Sequence, residues 1–326
     1  MRALVTGGAG YIGSFTVKAL QAAGYDVVVF DNLRYGHRAA VDCPVIQGEL
    51  ADRAAIFETV AAQPFDCVLH FAAYASVPES VADPGLYARD NVGGSINLID
   101  ACVAHGIDTL IFSSTSEIYG EARYLPIDEA HPTEPVNPYG GSKCMVERFL
   151  RWYDTAYGLR SISLRYFNAA GAMPDGSMGE DHRPEGHLIP NAIRGALGIQ
   201  EFQMTAATVD TPDGTPIRDF VHVLDLADAH VRALELLRDG HPTDAVNLGT
   251  GTGYSVRQVI DAVQRITGRS FPVERGAPRP GEPAAKYASN DKAAQVLGWR
   301  PAHDLESIIR SAVAWHSRHP NGYPEG

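Results

Sequence analysis

Tyr139 and Lys143 are the residues whose types and spacing point most directly to chemistry. They stand four positions apart, so on a helix both side chains lie on one face. A phenol has an ordinary pKa of about 10 and is a poor base at neutral pH, but an ammonium beside it lowers that pKa. The pair therefore predicts a general acid/base that exchanges a proton with a sugar or alcohol hydroxyl.

A glycine-rich turn near the amino terminus supplies the partner for this chemistry. Gly7, Gly10 and Gly13 follow a predicted strand and begin a predicted helix. In that setting the glycines let a pyrophosphate approach the backbone at the amino end of the helix. Together with Tyr139 and Lys143, the turn indicates an enzyme that moves a hydride and a proton at one carbon with a nicotinamide cofactor.

Asp31 bears on which nicotinamide cofactor is bound. It closes the second predicted strand, 18 residues after Gly13 (31 minus 13). A carboxylate at that place accepts hydrogen bonds from a ribose hydroxyl and repels a 2′-phosphate, which favours NAD over NADP. Two alternatives stay open, because Asp31 could cap its own turn with Asn32, and Arg34 is near enough to accommodate NADP.

Thr115 is the candidate for a substrate contact. It follows Ser113 and Ser114 at the carboxyl end of a predicted strand, and in parallel sheets this end faces the ligand crevice. We expect Thr115 to bind a substrate hydroxyl and guide its proton to Tyr139, whereas the two serines could simply form a turn.

The elements that must position these residues alternate along the first half of the chain. Short apolar runs alternate with helical patterns, which predicts βαβ units and a parallel sheet covered on both faces. Strands are predicted at 3–5, 26–30, 45–47, 67–71, 109–113 and 161–165. Helices are predicted at 12–23, 53–62, 84–105 and 138–157. The fold class is α/β, a doubly wound parallel Rossmann-type sheet.

The second half predicts a smaller interleaved carboxyl-terminal substrate domain. Residues 168–213 are rich in Gly, Pro, Met and acidic residues, and core-like patterns return at 217–223 and 226–238. We expect an NAD-binding domain over 1–168, with 217–240 returning to it, and a substrate-binding region over 169–326. A strand at 246–248, a helix at 256–267, a strand at 272–274 and helices at 290–297 and 304–315 are predicted within that region.

Composition excludes several classes of function. The net charge of -12 argues against a general nucleic-acid or anionic-membrane surface, and no apolar run is long enough for a bilayer. Without a leader pattern or a C-x-x-C pair, the four cysteines indicate reduced thiols in a cytoplasmic protein. His182 and His187 could suggest a metal, but no convincing ligand set is apparent, so no metal is expected.

The motifs taken together resemble the extended short-chain dehydrogenase/reductases. The resemblance rests on the glycine turn, Asp31, the His-Phe-Ala-Ala stretch at 70–73, Thr115 and the Tyr139–Lys143 pair. The carboxyl half narrows it to the UDP-glucose 4-epimerase family, through stretches at 164–172, 179–182, 187–190, 211–222, 247–251 and 315–320. The resemblance covers nearly the whole chain in order.

That resemblance implies a function and a set of site residues. It implies a UDP-glucose/UDP-galactose 4-epimerase that works through a transient 4-keto sugar on tightly bound NAD, as a homodimer. The residues implied to bind NAD are Gly7, Gly10, Tyr11, Ile12, Gly13, Asp31, Asn32, Glu49, Leu50, Phe71, Ala72, Ala73, Asn91, Lys143 and Tyr166. Those implied to bind the UDP-sugar are Asn168, His187, Leu188, Arg218, Arg279 and Lys286. Thr115 and Tyr139 would act on the sugar 4-hydroxyl.

Two positions depart from the pattern of this family and keep alternatives open. Glu117 stands where a small or hydroxylic residue is usual, and Thr115-Ser116-Glu117 resembles the nucleotide-sugar 4,6-dehydratases and decarboxylases, so Glu117 is a candidate catalytic residue. Lys286 could meet a carboxylate, which would favour a UDP-uronate 4-epimerase, or could be a solvated surface lysine. A non-catalytic NAD-sensing protein is a further alternative, although a sensor does not need Tyr139. Arg218 could merely form a surface ion pair with its neighbour Asp219.

Overall fold

The fold is built on a seven-stranded parallel sheet. The computed structural model describes residues 1–204, 206, 208–275 and 283–324. The sheet has the strand order β11-β6-β5-β4-β1-β2-β3, and every neighbouring pair in it is parallel. Its strands are β1 (Arg2–Thr6), β2 (Asp26–Asp31), β3 (Val45–Gln47), β4 (Cys67–His70), β5 (Thr109–Thr115), β6 (Arg160–Tyr166) and β11 (Asp244–Leu248). The predicted doubly wound fold is confirmed.

Helices cover both faces of this sheet. The α-helices are α1 (Tyr11–Ala22), α2 (Arg53–Ala61), α3 (Val77–Ala82), α4 (Pro84–Leu86), α5 (Gly94–Ala104), α6 (Pro138–Tyr157), α7 (Leu188–Ala196), α8 (Val223–Arg238), α9 (Val256–Thr267), α10 (Asp291–Val296) and α11 (Leu305–Arg318). Two 3₁₀ turns span Arg38–Ala40 and Ser116–Tyr119. Within the part of the chain that the structure describes, none of the helices is long and apolar enough to cross a membrane.

The alternation of side chains along the strands explains why two helical layers are needed. Ala3 and Val5 of β1 share an apolar cluster with residues of α1 and α8, whereas Leu4 between them packs with residues of α2, α5 and α6. Successive side chains of a strand point to opposite faces, so both faces of the sheet are apolar and must be covered. The crevice at the carboxyl ends of the strands is left between the two layers.

Small sheets and a second helical cluster form the carboxyl-terminal part. β7 (Asn168–Ala170) pairs with β10 (Phe220–His222), and β9 (Ile217–Arg218) lies between β12 (Tyr254–Ser255) and β14 (Ala285–Lys286). A further pair joins β8 (Gln203–Met204) to β13 (Glu274–Arg275). Helices α7, α9 and α11 share a separate apolar core.

The structure differs from the sequence prediction at three elements. The helix expected at 84–105 is divided into α4, a π-helical segment Tyr87–Gly93 and α5. The core run expected at 217–223 splits into β9 and β10 around Asp219, whose buried carboxylate accepts hydrogen bonds from the amides of Thr250 and Ala288. Strand β11 joins the central sheet beside β6, so the chain returns to that sheet beyond the predicted return at 217–240.

Candidate active site

Helix α6 carries Tyr139 and Lys143 to the carboxyl edge of the sheet. The Asn137 side chain caps the helix by accepting a hydrogen bond from the Gly140 amide at 2.8 Å, and Pro138 occupies the first turn. Both features are typical of helix amino termini. The helix then packs beside β5 and β6, so its amino-terminal turns lie next to Thr115, as the spacing predicts.

Thr115 and Tyr139 are neighbours at this edge of the sheet. The Thr115 hydroxyl is near enough to the Tyr139 phenol to lower its pKa, and Thr115 Oγ1 accepts a hydrogen bond from the Glu117 amide at 3.2 Å. Burial acts in the other direction, is the larger effect and raises the pKa of Tyr139 to about 12. In this state Tyr139 is a phenol at neutral pH, placed to exchange a proton through Thr115.

Lys143 lies in the same pocket but acts differently from the sequence expectation. Its Nζ donates a hydrogen bond to the Ser113 carbonyl at 2.8 Å and lies 4.8 Å from the centre of the Phe112 ring. Burial lowers the pKa of Lys143 to about 7. The expectation that its ammonium lowers the pKa of Tyr139 is therefore wrong for this arrangement, since burial dominates both groups.

Glu117 and Lys286 form a largely buried ion pair. Lys286 Nζ lies 2.7 Å from Glu117 Oε1, and Asn137 Nδ2 donates to Glu117 Oε2 at 2.9 Å. The side chain of Lys286 is only 6% exposed, so the alternative of a solvated surface lysine is wrong. Burial opposes ionisation of Glu117, but the charge of Lys286 and these hydrogen bonds hold its pKa below the ordinary value.

Arg218 lies close to this ion pair rather than in a surface pair. It is next to Lys286 in the β9–β14 pairing, and its charge also lowers the pKa of Glu117. Its Nη1 donates to the carbonyls of Ile217 and Pro283. Asp219 is fully buried and bound to Thr250 and Ala288, so the surface pair between Arg218 and Asp219 considered above is wrong.

The glycine turn closes tightly against β4. Gly7 has a φ of +71°, and a Cβ atom there would lie 2.4 Å from the Ala72 amide nitrogen, so only glycine fits. Gly10 precedes α1 without a side-chain cap. The first-turn amides of α1 are therefore not satisfied by a capping side chain and suit a phosphate, which is the arrangement that a dinucleotide requires.

Asp31 lies at the carboxyl end of β2, beside this turn. Its carboxylate accepts hydrogen bonds from the amides of Ala9 at 3.0 Å and Leu33 at 2.8 Å. Asp31 therefore does cap its own turn, as the alternative interpretation proposed. The same hydrogen bonds fix its carboxylate beside the glycine turn. Asn32 Nδ2 donates to Glu49 Oε2 at 3.0 Å, which places these two predicted NAD contacts together.

Three of the predicted cofactor ligands have internal partners. The Asn91 amide bonds both the amide and the carbonyl of Tyr74, so it holds the loop after β4 from within the π-helical segment. Tyr11 donates its hydroxyl proton to the Gly171 carbonyl at 2.6 Å. The hydroxyls of Tyr166 and Ser113 are hydrogen bonded to each other. Their contact with a cofactor stays a prediction.

The predicted substrate ligands lie on several elements of the carboxyl-terminal part. Leu188 begins α7 directly after His187. Asn168 begins β7, and its backbone amide donates a hydrogen bond to the Asp219 carbonyl at 2.9 Å. Arg218 and Lys286 lie on β9 and β14. Arg279, also predicted from the resemblance, lies outside the described residues.

A cluster that the sequence interpretation missed lies just before α7. The side chains of Glu180, His182, Glu185 and His187 converge, with one ligating atom of each within 4.8 Å of the others. The charge of Glu180 raises the pKa of His187 well above its ordinary value, although the His187 side chain is largely exposed. The signal that could have found this cluster is the E-x-H-x-x-E-x-H pattern of residues 180–187, which matches no familiar zinc spacing.

The carboxyl-terminal segment also lies against the glycine turn, which the sequence interpretation did not predict. The Tyr323 ring stacks on the His37 ring with centroids 5.0 Å apart. His37 Nε2 lies 3.3 Å from an Asp181 carboxylate oxygen, and the His37 amide donates to the Ala9 carbonyl. Residues from both ends of the chain thus support the turn that follows Gly7. A small cavity remains between them, beside Tyr11.

Comparison with known proteins gives a consistent result. A family model described as the NAD dependent epimerase/dehydratase family matches residues 3–249. The chain is 46% identical over 327 positions to a UDP-glucose 4-epimerase of Lacticaseibacillus casei, and the alignment covers 99% of both chains.

Solved structures agree with this similarity. The UDP-glucose 4-epimerase from Brucella ovis in complex with NAD is 47% identical, with a TM-score of 0.92 over 96% of this chain and 97% of that one. The UDP-glucose 4-epimerase from Bifidobacterium longum in complex with NAD+ and UDP is 35% identical, with a TM-score of 0.92 over 99% and 100% of the two chains.

Proposed function

Because the chain belongs to the NAD-dependent epimerase/dehydratase family, we propose that it is a UDP-sugar 4-epimerase that interconverts UDP-glucose and UDP-galactose with bound NAD. The family predicted from the sequence is confirmed by the family model that matches the chain. The observation that carries the proposal is the placement of Thr115, Tyr139 and Lys143 together, at the carboxyl edge of the sheet that also bears the Gly7 turn. That edge is where doubly wound folds bind their ligands.

The residues of the chain divide the chemistry between them. NAD bound at this edge would supply the acceptor and donor for the hydride of sugar carbon 4, and the positive charge of its oxidised ring would favour the phenolate form of Tyr139. Thr115 binds the 4-hydroxyl, and Tyr139 as the phenolate takes the proton of that hydroxyl and later returns it. The amides at the start of α1 hold a pyrophosphate, and Arg218 meets a phosphate of the substrate. His187 and the amide of Leu188 contact the substrate diphosphate at the start of α7.

The state of Glu117 favours an epimerase over a dehydratase or a decarboxylase. A general base that removes a carbon-bound proton works best with a pKa near the operating pH. Lys286 and Asn137 bind both carboxylate oxygens of Glu117 and keep its pKa low. Glu117 is therefore a weak base that shapes the pocket. Its ion pair with Lys286 also neutralises the positive charge that the carboxylate of a uronate would need as a partner. A neutral hexose is the better substrate.

Replacement of Glu117 by Gln tests this assignment. The amide keeps the shape of the carboxylate, so we expect a slower reaction with an unchanged epimer product. In heavy water an epimerase that returns the same hydride puts no deuterium on carbon, which NMR of the product measures. A 4-keto-6-deoxy or pentose product from the wild type, or carbon-bound deuterium, would contradict the epimerase assignment. Loss of that deuterium exchange in Glu117→Gln would identify Glu117 as the base.

The identity of the cofactor is a second expected result. Protein that is purified without added cofactor and then denatured should release NAD rather than NADP, because Asp31 repels a 2′-phosphate. Arg34 is held by Tyr74, since its Nη1 donates to the Tyr74 hydroxyl at 3.1 Å. Mass spectrometry of the released ligand measures the result. Mainly NADP would show that Arg34 outweighs Asp31.

The activity itself is tested with a panel of sugars and no added cofactor. UDP-glucose, UDP-galactose, UDP-N-acetylglucosamine, UDP-glucuronate and UDP-arabinose are incubated with the purified protein, and the products are separated by chromatography. Interconversion of the two neutral hexoses at the highest kcat/KM supports the proposal. A chain that binds NAD and turns over none of these sugars would support the NAD-sensing alternative instead.

The assembly and the division of the chain belong to the same proposal. Helix α6 exposes Met145, Trp152 and Tyr157, an apolar set that supports a homodimer built on this helix and on the 84–104 segment.

We assign 1–168 to NAD binding and 169–326 to substrate binding, except that α8 packs on the central sheet and β11 is one of its strands. The expected location is the cytoplasm, in keeping with four free, buried cysteines.

A further inference from the structure

The segment between β7 and α7 gathers four side chains that can bind a metal. His187 Nδ1 lies 2.5 Å and His182 Nδ1 3.1 Å from the same oxygen, Glu180 Oε1. Glu185 is on the other side, with its oxygens 3.4 Å from His187 Nδ1 and 3.9 Å from His182 Nδ1. One possible ligand atom from each of the four side chains thus lies within 4.8 Å of the other three.

We propose that this cluster is a zinc site. Zinc bonds to nitrogen and oxygen ligands are about 2.0–2.1 Å long, so the ligands of a tetrahedral ion lie roughly 3.3 Å apart. The separations between the possible ligand atoms begin at 2.5 Å and do not exceed 4.8 Å, so they span this value. Two imidazoles favour zinc over magnesium or calcium, which prefer oxygen ligands. Two carboxylates would also balance the charge of a divalent ion, which binds the imidazoles after they have lost their protons.

The surroundings hold the ligands in place. Trp315 Nε1 donates to the Glu180 carbonyl at 3.0 Å, and Asn191 Nδ2 donates to the Glu185 carbonyl at 3.3 Å. The side chains of Glu180 and Glu185 are nearly buried, whereas His187 is exposed to solvent, which leaves an open path for an ion. All four ligands come from eight consecutive residues, so the site needs no movement of larger elements.

The position of this zinc site couples it to the substrate, an extension that rests on the proposed function. His187 is the residue before α7 that we assign to the UDP-sugar, and a zinc ion would occupy its Nδ1. The His182 ring lies edge-on to the Tyr11 ring beside the cofactor turn, with centroids 6.3 Å apart. Zinc would therefore raise the KM for the UDP-sugar and act as an inhibitor.

The direct test is zinc binding to the purified protein with its cofactor retained. After removal of metals with a chelator, zinc is titrated in competition with a chromogenic chelator, and we expect one ion per chain. His182→Ala should weaken binding by at least about tenfold, since even the loss of an outer-sphere partner weakens a site about 10–100-fold. His241→Ala is the matched control, because His241 also pairs with a carboxylate, that of Asp244, but is not a member of the four-residue cluster. X-ray absorption should show imidazole nitrogen and carboxylate oxygen around the ion.

The outcomes separate the site from the function. No bound zinc, or equal affinity in wild type and His182→Ala with circular dichroism unchanged, would overturn the proposal. Zinc binding is measured without substrate, so its result does not depend on epimerase activity. In the activity assay, zinc should raise KM in the wild type, and His182→Ala should need at least about tenfold more zinc for the same effect. Zinc that binds but leaves KM unchanged would overturn the link to the substrate.

Discussion

Replacement of Tyr139 by Phe is expected to lower kcat by about 10²–10⁴-fold, the usual contribution of general acid/base catalysis. The change removes only the phenolic oxygen near Thr115, while the ring keeps its edge-on contact with Tyr87 at 6.3 Å. The fold and the bound NAD should therefore be retained. Initial rates with UDP-galactose give kcat, and NAD released on denaturation reports the occupancy.

The matched control for this variant is Tyr157→Phe. Tyr157 lies on the same helix, and its side chain is 64% exposed. The change keeps the ring that we assign to the homodimer surface, so the loss of the hydroxyl should leave the rate within about twofold of the wild type, as expected of changes away from a site. A Tyr139→Phe enzyme with near-normal turnover would remove Tyr139 from the proton transfer. The proton would then have to pass through another group in the pocket, and Lys143, with a pKa of about 7, would be the first to examine.

Local patterns explain why much of this site could be predicted from the sequence. The turn at Gly7 and the pair Tyr139–Lys143 depend on spacing within one strand–turn–helix unit or one helix, and such spacing is visible in a sequence. The sheet followed from the alternation of apolar runs and helices. The environment of these residues could not be predicted in the same way. Burial decides the pKa of Tyr139 and Lys143, and burial depends on the complete fold.

The missed contacts are those between residues far apart in the chain. Glu117 and Lys286 are 169 positions apart, and nothing in the sequence shows that each is the partner of the other. The return of β11 to the sheet and the stacking of Tyr323 on His37 have the same cause. Strand order in a parallel sheet and the path of a terminal segment are set by tertiary packing, which local periodicity does not encode.

Replacement of Glu147 by Gln is expected to lower the free energy of unfolding by about 3–5 kcal/mol, because it leaves a buried charge without its partner. Arg165 binds Glu147 through two hydrogen bonds of 2.9 and 2.6 Å, and the two side chains are only 4% and 2% exposed. Glu147 also accepts a hydrogen bond from the Ser114 hydroxyl at 2.6 Å. The pair therefore joins α6 to β5 and β6 next to Thr115.

Denaturant unfolding of both proteins with NAD bound measures the effect, because bound ligand adds the same stabilisation to each when its affinity is unchanged. The control is Glu306→Gln, which breaks an exposed pair with Arg310 four residues away on one helix and should change stability by less than about 1 kcal/mol. Glu147 lies one helical turn after Lys143, so loosening this pair should also displace the proton-transfer residues and lower kcat. Equal small losses of unfolding free energy in the two variants would show that the buried pair does not fix α6 to the sheet. The position of Tyr139 would then depend on the contacts of Asn137 and Gly140 at the start of the helix.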